Sequence, residues 1–297
     1  MIYRGRFAPT PSGPLHFGSL VAAMGSYLEA KRHSGEWWLR IDDLDPPRVQ
    51  PGAADAILRC LECYGFQWDG PVIYQSRRRA AYHAALHRLR QLGLVYACAC
   101  TRKEIALIAR NSAEGPIYPG TCRAGSAAAG RALRLNTRGA MTEFHDEVQG
   151  LQRRDIEHDL GDFVLYRNDA VFSFHIASAV DDGDYAMTHI VRGADLLESS
   201  VRQIYLQKLL GYPIPFYMHL PVASNAGGEK LSKQTHAAPL PLDKPGLLLT
   251  RALQFLGQAV PGEMTRACTK EIWAWAMAHW ERSRIPRESA GRLNLAL

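Results

Sequence analysis

Ala8-Pro9-Thr10-Pro11-Ser12-Gly13-Pro14-Leu15-His16-Phe17-Gly18-Ser19 is the stretch whose reading decides the fold. Before it, Tyr3–Ala8 is short, carries Phe7 and stops at Pro9, which predicts a strand. After it, Gly18–His33 carries Leu20, Val21, Met24, Tyr27 and Leu28 at helical spacing. A strand that enters a helix through a Pro/Gly/Ser-rich turn leaves the first helical N–H groups facing outward, where they favour phosphate. Gly18 has no Cβ, so a ligand can approach the backbone closely. His16 stands where an imidazole can donate to a phosphate oxygen, and Thr10, Ser12 and Ser19 add hydroxyl donors.

The alternation continues outward from this junction. Glu36–Ile41 is aromatic and apolar and predicts a buried strand. Ala53–Tyr64 and Ala80–Leu92 carry helical stripes. Strands alternating with amphipathic helices predict an α/β fold, a Rossmann-like parallel sheet with helices on its faces. The rhythm breaks near Tyr96, and Cys98 to about Leu160 is rich in Gly, Ala and polar residues, which reads as an insertion. It returns at Phe163–Tyr166, followed by a helix over Asp195–Leu210 and a strand over Phe216–Val222. Pro239, Pro241 and Pro245 mark a turn region ending at Gly246. Helices are expected at Leu247–Leu256 and Lys270–Trp280, with Trp273, Trp275 and Trp280 as core residues. The expected division is 1–96 and 161–240 as two halves of a catalytic unit, 97–160 as the insertion and 241–297 as a C-terminal helical region.

Of the 297 residues, 47% are hydrophobic, enough for a sizeable core. No run of 18 apolar residues suggests a membrane span, and the arginines, Pro and Gly of the first residues do not resemble a secretory leader. A cytoplasmic protein is the expectation. The net charge of +6 permits an RNA partner without requiring one. Six cysteines without a secretion signal are not expected to form disulfides. Cys60 and Cys63 lie on a helical stripe and read as structural.

A second chemical signal lies far downstream. Gly227-Gly228-Glu229-Lys230-Leu231-Ser232-Lys233-Gln234 is a glycine hinge followed by two lysines that bracket a serine. Such lysines can cross a triphosphate and neutralise charge developing at the α-phosphorus.

Together, His16-Phe17-Gly18-Ser19 and Lys230-Leu231-Ser232-Lys233-Gln234 resemble the "HIGH" and "KMSKS" signatures of class I aminoacyl-tRNA synthetases. Leu39-Arg40-Ile41-Asp42-Asp43-Leu44-Asp45 and Ile190-Val191-Arg192-Gly193-Ala194-Asp195 resemble the "LRIEDTD" and "VIRGED" segments of glutamyl-tRNA synthetases, and His219-Leu220-Pro221 fits too. The likeness covers about residues 4–240. After the lysine loop the sequence offers a helical stretch rather than a large anticodon-binding region. Together with a Cys-x-Cys … Tyr-x-x-x-Cys set, this is similar to the glutamyl-queuosine tRNA(Asp) synthetases. The resemblance implies a ligase that activates glutamate as its adenylate without tRNA, then attaches it to the queuosine base of tRNA(Asp). Competing readings are a compact glutamyl-tRNA synthetase charging an acceptor end and a catalytically altered RNA-binding paralogue.

By the same resemblance, Arg6 and the backbone of Phe7, Ala8, Pro9 and Thr10 hold the amino acid, and Arg192 grips its side-chain carboxylate. A guanidinium fork suits a carboxylate because it donates two parallel hydrogen bonds. Two positions depart from the family pattern: Asp42 replaces the glutamate that grips the substrate ammonium, and Phe174 replaces a tyrosine. ATP is expected against His16, Gly18, Ser19, Lys230, Ser232 and Lys233. Lys233, supported by Lys230, stabilises the transition state, with His16 on the phosphates. Magnesium is expected with ATP, held mostly by phosphates and water.

Cys98, Cys100 and Cys122 would supply three thiolates to a structural zinc, which takes four ligands. General chemistry suggests a histidine as the fourth, yet none lies between them and His145 is the nearest downstream. The family resemblance instead offers Tyr118.

Overall fold

The structure, a computed structural model, describes residues 2–112, 115–126, 130, 132–224, 238–288 and 290–292. The first half runs β1 (Arg4–Phe7), α1 (Phe17–Arg32), β2 (Glu36–Ile41), α2 (Ala53–Cys63), β3 (Ile73–Tyr74), α3 (Arg79–Gln91). β1, β2 and β3 are parallel neighbours in the order β1-β2-β3, with Arg6 opposite Trp38 and Phe7 opposite Leu39. Next come β4 (Val95–Cys98), α4 (Arg102–Ile108), β5 (Arg110–Ser112), β6 (Gly115–Ile117), β7 (Ala132–Leu135), β8 (Met141–Asp146), β9 (Gly150–Asp155), α5 (Ile156–Asp159) and β10 (Val164–Tyr166). The chain then forms α6 (Phe174–Asp184), β11 (His189–Gly193), α7 (Leu197–Leu210), β12 (Phe216–Leu220) and β13 (Val222–Ser224). Beyond the undescribed 225–237 follow α8 (Pro245–Phe255), α9 (Thr269–His279) and β14 (Ala290–Arg292).

β11 and β12 are parallel, and β8 extends that sheet beside β12. β11 lies alongside β1, joined where Thr188 N–H donates to Arg4 O at 2.9 Å. The spatial order is therefore β3-β2-β1, then β11-β12-β8-β9. The chain leaves β1 in one direction and returns to β11 to proceed in the other, so a switch in topology falls between them. In parallel sheets, ligands bind outside the carboxyl ends of the strands at such a switch.

The pleat decides what meets what. Residues two apart share a face. Phe7, Trp37, Leu39 and Ile41 enter one core together with α1, α2 and the C-terminal helices. Arg6 and Arg40 therefore fall on the opposite face, toward α6. The C-terminal helices belong to that first core: Trp273 and Trp280 are buried, with Trp273 Nε1 donating to Tyr64 O at 2.8 Å and Trp280 Nε1 to Glu29 Oε1 at 2.7 Å. The turn region read as ending at Gly246 is shorter, because α8 already starts with Pro245, which needs no N–H in the first helical turn.

β10 differs from its expected role. It pairs antiparallel with β7, which also pairs antiparallel with β4, so the return of apolar residues at 163–166 belongs to this second sheet. Among the described residues no helix is long and apolar enough to cross a membrane.

Gly35 sets the entry to β2. A Cβ there would lie 2.4 Å from Tyr3 O, the acceptor of the Glu36 N–H at 2.9 Å. Gly35→Ala should push β1 and β2 apart and cost about 1–3 kcal/mol, read as a lower urea midpoint. An unchanged midpoint would mean that the strands have slack at this point.

Candidate active site

At the switch between β1 and β11 lies a cavity of about 300 Å³. Its wall brings together Arg6, Phe7, Ala8, Pro9, Thr10, His16, Gly18, Ser19, Asp42, Phe174 and Arg192. Every candidate amino-acid or phosphate residue within the described chain is thus on one cavity. Lys230, Ser232 and Lys233 lie outside the described residues. Val222 and Ala223 of β13, which leads toward them, also line the wall.

His16 is the N-cap of α1, one residue ahead of the expected helix. Its Nδ1 accepts from Ser19 N at 3.3 Å, and Ser19 Oγ accepts from His16 N at 3.5 Å. A neutral imidazole whose Nδ1 accepts carries its proton on Nε2, so Nε2 is the donor. The cap fixes that orientation before any ligand arrives.

The opposite end of the cavity is built of buried charge. Arg6 donates Nε and Nη2 to the two oxygens of Asp182 at 3.1 and 2.9 Å. Arg40 donates Nη1 to the same carboxylate at 2.8 Å, and Nε and Nη2 to Asp42 at 2.6 and 3.3 Å. Burial opposes ionisation of Asp182, but Arg6 and Arg40 outweigh it and hold the carboxyl below its ordinary range. Asp42 behaves oppositely. Burial raises its carboxyl to about 6, with Arg40 opposing and Asp181 adding repulsion. An arriving cation would relieve this carboxylate on the cavity wall.

Arg192 is 5% exposed. Its Nη2 donates to Ser200 Oγ at 2.6 Å and Gln203 Oε1 at 2.8 Å, and its Nε to His219 Nε2 at 3.4 Å. These bonds use three of the five guanidinium N–H groups. The other two sit on Nη1, which is buried and has no hydrogen-bond partner among the described residues. The parallel fork expected of this arginine therefore reduces to what Nη1 alone donates. Burial first, then Arg6, lowers the Arg192 pKa to about 10.

Phe174 is the first residue of α6 and presents an apolar ring to the cavity where a hydroxyl was expected. Residues without an assigned role in the sequence complete the site's support: Arg40, Asp182, Ser200, Gln203, Asp146 and His219. Their signal is polarity inside elements that the fold buries, and it is visible only once burial is known.

A separate cluster lies in 97–160. The sulfurs of Cys98, Cys100 and Cys122 all lie within 4.8 Å of one another. Tyr118 Oη is 3.4 Å from Cys98 Sγ and 3.5 Å from Cys100 Sγ, and Cys100 Sγ is 3.5 Å from Cys122 Sγ. Four ligands around zinc with bonds of about 2.0–2.3 Å span edges of about 3.3–3.8 Å. These three separations fit that set, and His145 plays no part in the cluster.

Comparison with known proteins agrees with this geometry. The family described as "tRNA synthetases class I (E and Q), catalytic domain" matches residues 3–243. The chain is 55% identical over 291 residues to the Glutamyl-Q tRNA(Asp) synthetase of Dechloromonas aromatica, covering 97% of each. It is 52% identical over 298 residues to the protein so named from Chromobacterium violaceum, covering 100% of this chain and 98% of that one. Among solved structures it is similar in fold to the glutamate-tRNA synthetase of Elizabethkingia anophelis, with a TM-score of 0.80 at 23% identity, over 99% of this chain and 68% of that one.

Asp182 is the counter-charge for two buried guanidiniums. Asp182→Ala should cost about 3–5 kcal/mol of stability by taking from buried Arg6 its carboxylate partner and leaving Arg40 with Asp42 and Asp181. Urea unfolding measures this, and a loss below about 1 kcal/mol would mean that water solvates the pair.

Proposed function

Since the chain belongs to the class I glutamyl- and glutaminyl-tRNA synthetase family, we propose that it activates glutamate with ATP and transfers it to the queuosine base of tRNA(Asp). It is a ligase. The observation that carries the amino-acid assignment is Arg192, a residue of the cavity wall whose buried Nη1 has no hydrogen-bond partner among the described residues. A glutamate γ-carboxylate supplies the charge and both acceptors. A glutamine amide supplies neither the charge nor the second acceptor. The names of relatives that match almost end to end support the RNA substrate.

Arg6 and the backbone from Phe7 to Thr10 hold the amino acid beside Arg192. Asp42, the under-neutralised carboxylate, receives its ammonium. The α-carboxylate attacks the α-phosphorus of ATP and pyrophosphate leaves, forming the mixed anhydride. No enzyme nucleophile is needed, so catalysis is positioning and charge stabilisation. His16 Nε2–H and the α1 start at Gly18 and Ser19 take the phosphates. Lys230, Ser232 and Lys233 come from beyond the described residues to neutralise charge as pyrophosphate departs. Magnesium enters with ATP, held mostly by phosphate oxygens and water. In the second step a queuosine hydroxyl attacks the activated carbonyl, an ester forms and AMP leaves. The division of the chain into 1–96, 97–160, 161–240 and 241–297 is part of this reading, with β10 of the third segment paired to β7 of the second, as is a cytoplasmic location.

Labelled glutamate offered with ATP should enter queuosine-containing tRNA(Asp) without tRNA(Glu) being present. The label should map to the anticodon loop after nuclease digestion at mild pH. Label in the acceptor end of tRNA(Glu) would instead support a compact glutamyl-tRNA synthetase. Label in neither RNA would point to a catalytically altered paralogue.

Cys98, Cys100, Tyr118 and Cys122 would hold one zinc ion, a closed site with structural work only. It would tie the β4 end to the loop after β6. The purified protein should carry about one zinc per chain, and chelation should lower its thermal stability. Zinc below about a tenth of an equivalent would refute the site.

A further inference from the structure

Arg192 and His219 are direct partners in the parallel pairing of β11 and β12, so their side chains stand side by side on one face. His219 Nδ1 is 2.6 Å from Asp146 Oδ2 on β8. His219 Nε2 is 2.6 Å from Ser200 Oγ on α7, which in turn accepts from Arg192 Nη2 at 2.6 Å. Asp146, His219 and Ser200 are each fully buried and none lines the cavity. Ser200 Oγ also lies 3.1 Å from Leu196 O, so its one proton has two acceptors to choose from, and the charge states of Asp146 and His219 decide between them.

The proton positions follow from the atoms. Asp146 is held in its ionised form: burial opposes this, and the bond from His219 outweighs it. A carboxylate only accepts, so Nδ1 of His219 carries the proton and donates. Burial also keeps the ring neutral, against the pull of Asp146. Nε2 is then bare and accepts, from Ser200 Oγ–H and from Arg192 Nε–H. With Nε and Nη2 both engaged, the guanidinium is held in one orientation, and Nη1 is the group left to donate to a ligand.

We propose that Asp146 and His219 are positioning residues that hold Arg192 in its glutamate-gripping orientation by fixing the tautomer of the His219 ring. This rests on the assignment of Arg192 to the γ-carboxylate above. The relay acts on the amino-acid end of the cavity only, so it governs glutamate selection and leaves ATP binding alone.

Asp146→Asn tests the tautomer directly. Oδ1 of Asp146 already accepts three backbone N–H groups, from Val148 at 3.0 Å, Gln149 at 2.8 Å and His219 at 3.1 Å. The asparagine oxygen must take that place, which turns its NH₂ toward His219 Nδ1. The ring proton then moves to Nε2 and opposes the Arg192 Nε–H. Pyrophosphate exchange should show the KM for glutamate rising about ten- to a hundred-fold, with the KM for ATP unchanged. The preference for glutamate over glutamine should narrow with it. His219→Gln, which can keep an acceptor near Nε2, should retain more glutamate affinity than His219→Leu. If Asp146→Asn does not fold, His219→Gln, His219→Leu and Ser200→Ala carry the same comparison.

Arg192→Ala separates the two claims. If it leaves the glutamate KM unchanged, the assignment of Arg192 is wrong. If it raises that KM while the relay variants fold with wild-type KM and selectivity, the relay is wrong. Equal losses toward glutamate and ATP in the relay variants would also overturn it, because they would mark a general structural role.

Discussion

Asp182 binds two guanidiniums from adjacent parallel strands, and the cavity depends on that arrangement. Arg6 and Arg40 share one face of β1 and β2 through the pleat, at positions where an apolar face would otherwise meet α6. A helix bearing a carboxylate at that point locks α6 to both strands at once. The position of α6 in turn sets Phe174 at its first turn, on the cavity wall. Removing two positive charges from water is expensive, and one carboxylate shared bidentately makes it tolerable only in this geometry. The end of the cavity proposed to meet the amino acid is therefore held by charges that the protein itself pairs.

Neutralisation is uneven across this cluster, and the unevenness carries chemical meaning. Asp182 has two cationic partners and stays well ionised. Asp42 has a share of Arg40 and the field of Arg6, yet burial pushes it up to about 6. Arg192 has hydrogen-bond partners but no carboxylate at Nη1. One acidic and one basic group thus remain under-compensated on the same wall. An amino acid with an acidic side chain carries the complementary pair of charges. The shorter Asp42 keeps this polarity because Arg40 engages both of its oxygens.

Much of the frame is legible in the sequence because its periodicity is simple. β2, α2, α3 and α9 fall within a residue or so of their expected bounds, since each sets an apolar stripe or run against one neighbour. α6 is not legible. It is buried from Ile176 through Asp182, so no exposed face gives it a helical stripe, and Ser178, Asp181 and Asp182 interrupt any apolar run. β10 departs from expectation because an apolar triplet does not reveal which sheet it joins, and long-range pairing with β7 decides that. For the site, motifs supply the residues that touch the cavity. The residues that hold them in place carry no local signal. His219 stands out only as part of a motif, and Asp146 lies 73 residues before it.

The two ends of the cavity are built by different means, and this bears on how the chain tolerates its departures. The phosphate end is backbone and capping: the start of α1, with His16 turned by its own bond to Ser19. Such a surface depends on the local turn and little on distant side chains. The end proposed to take the amino acid depends on charged and polar groups brought together from β1, β2, α6, β8, β11, α7 and β12. A changed side chain there acts through every partner it holds, as networks of buried polar groups do. Phe174 replaces an expected hydroxyl without leaving a charge uncompensated, and Asp42 shortens a side chain without removing its charge. Both changes spare the electrostatic balance and alter only reach. Loss of a charge in the same cluster would instead disturb strands and helix together, so reach is the property in which this end of the cavity has freedom to vary.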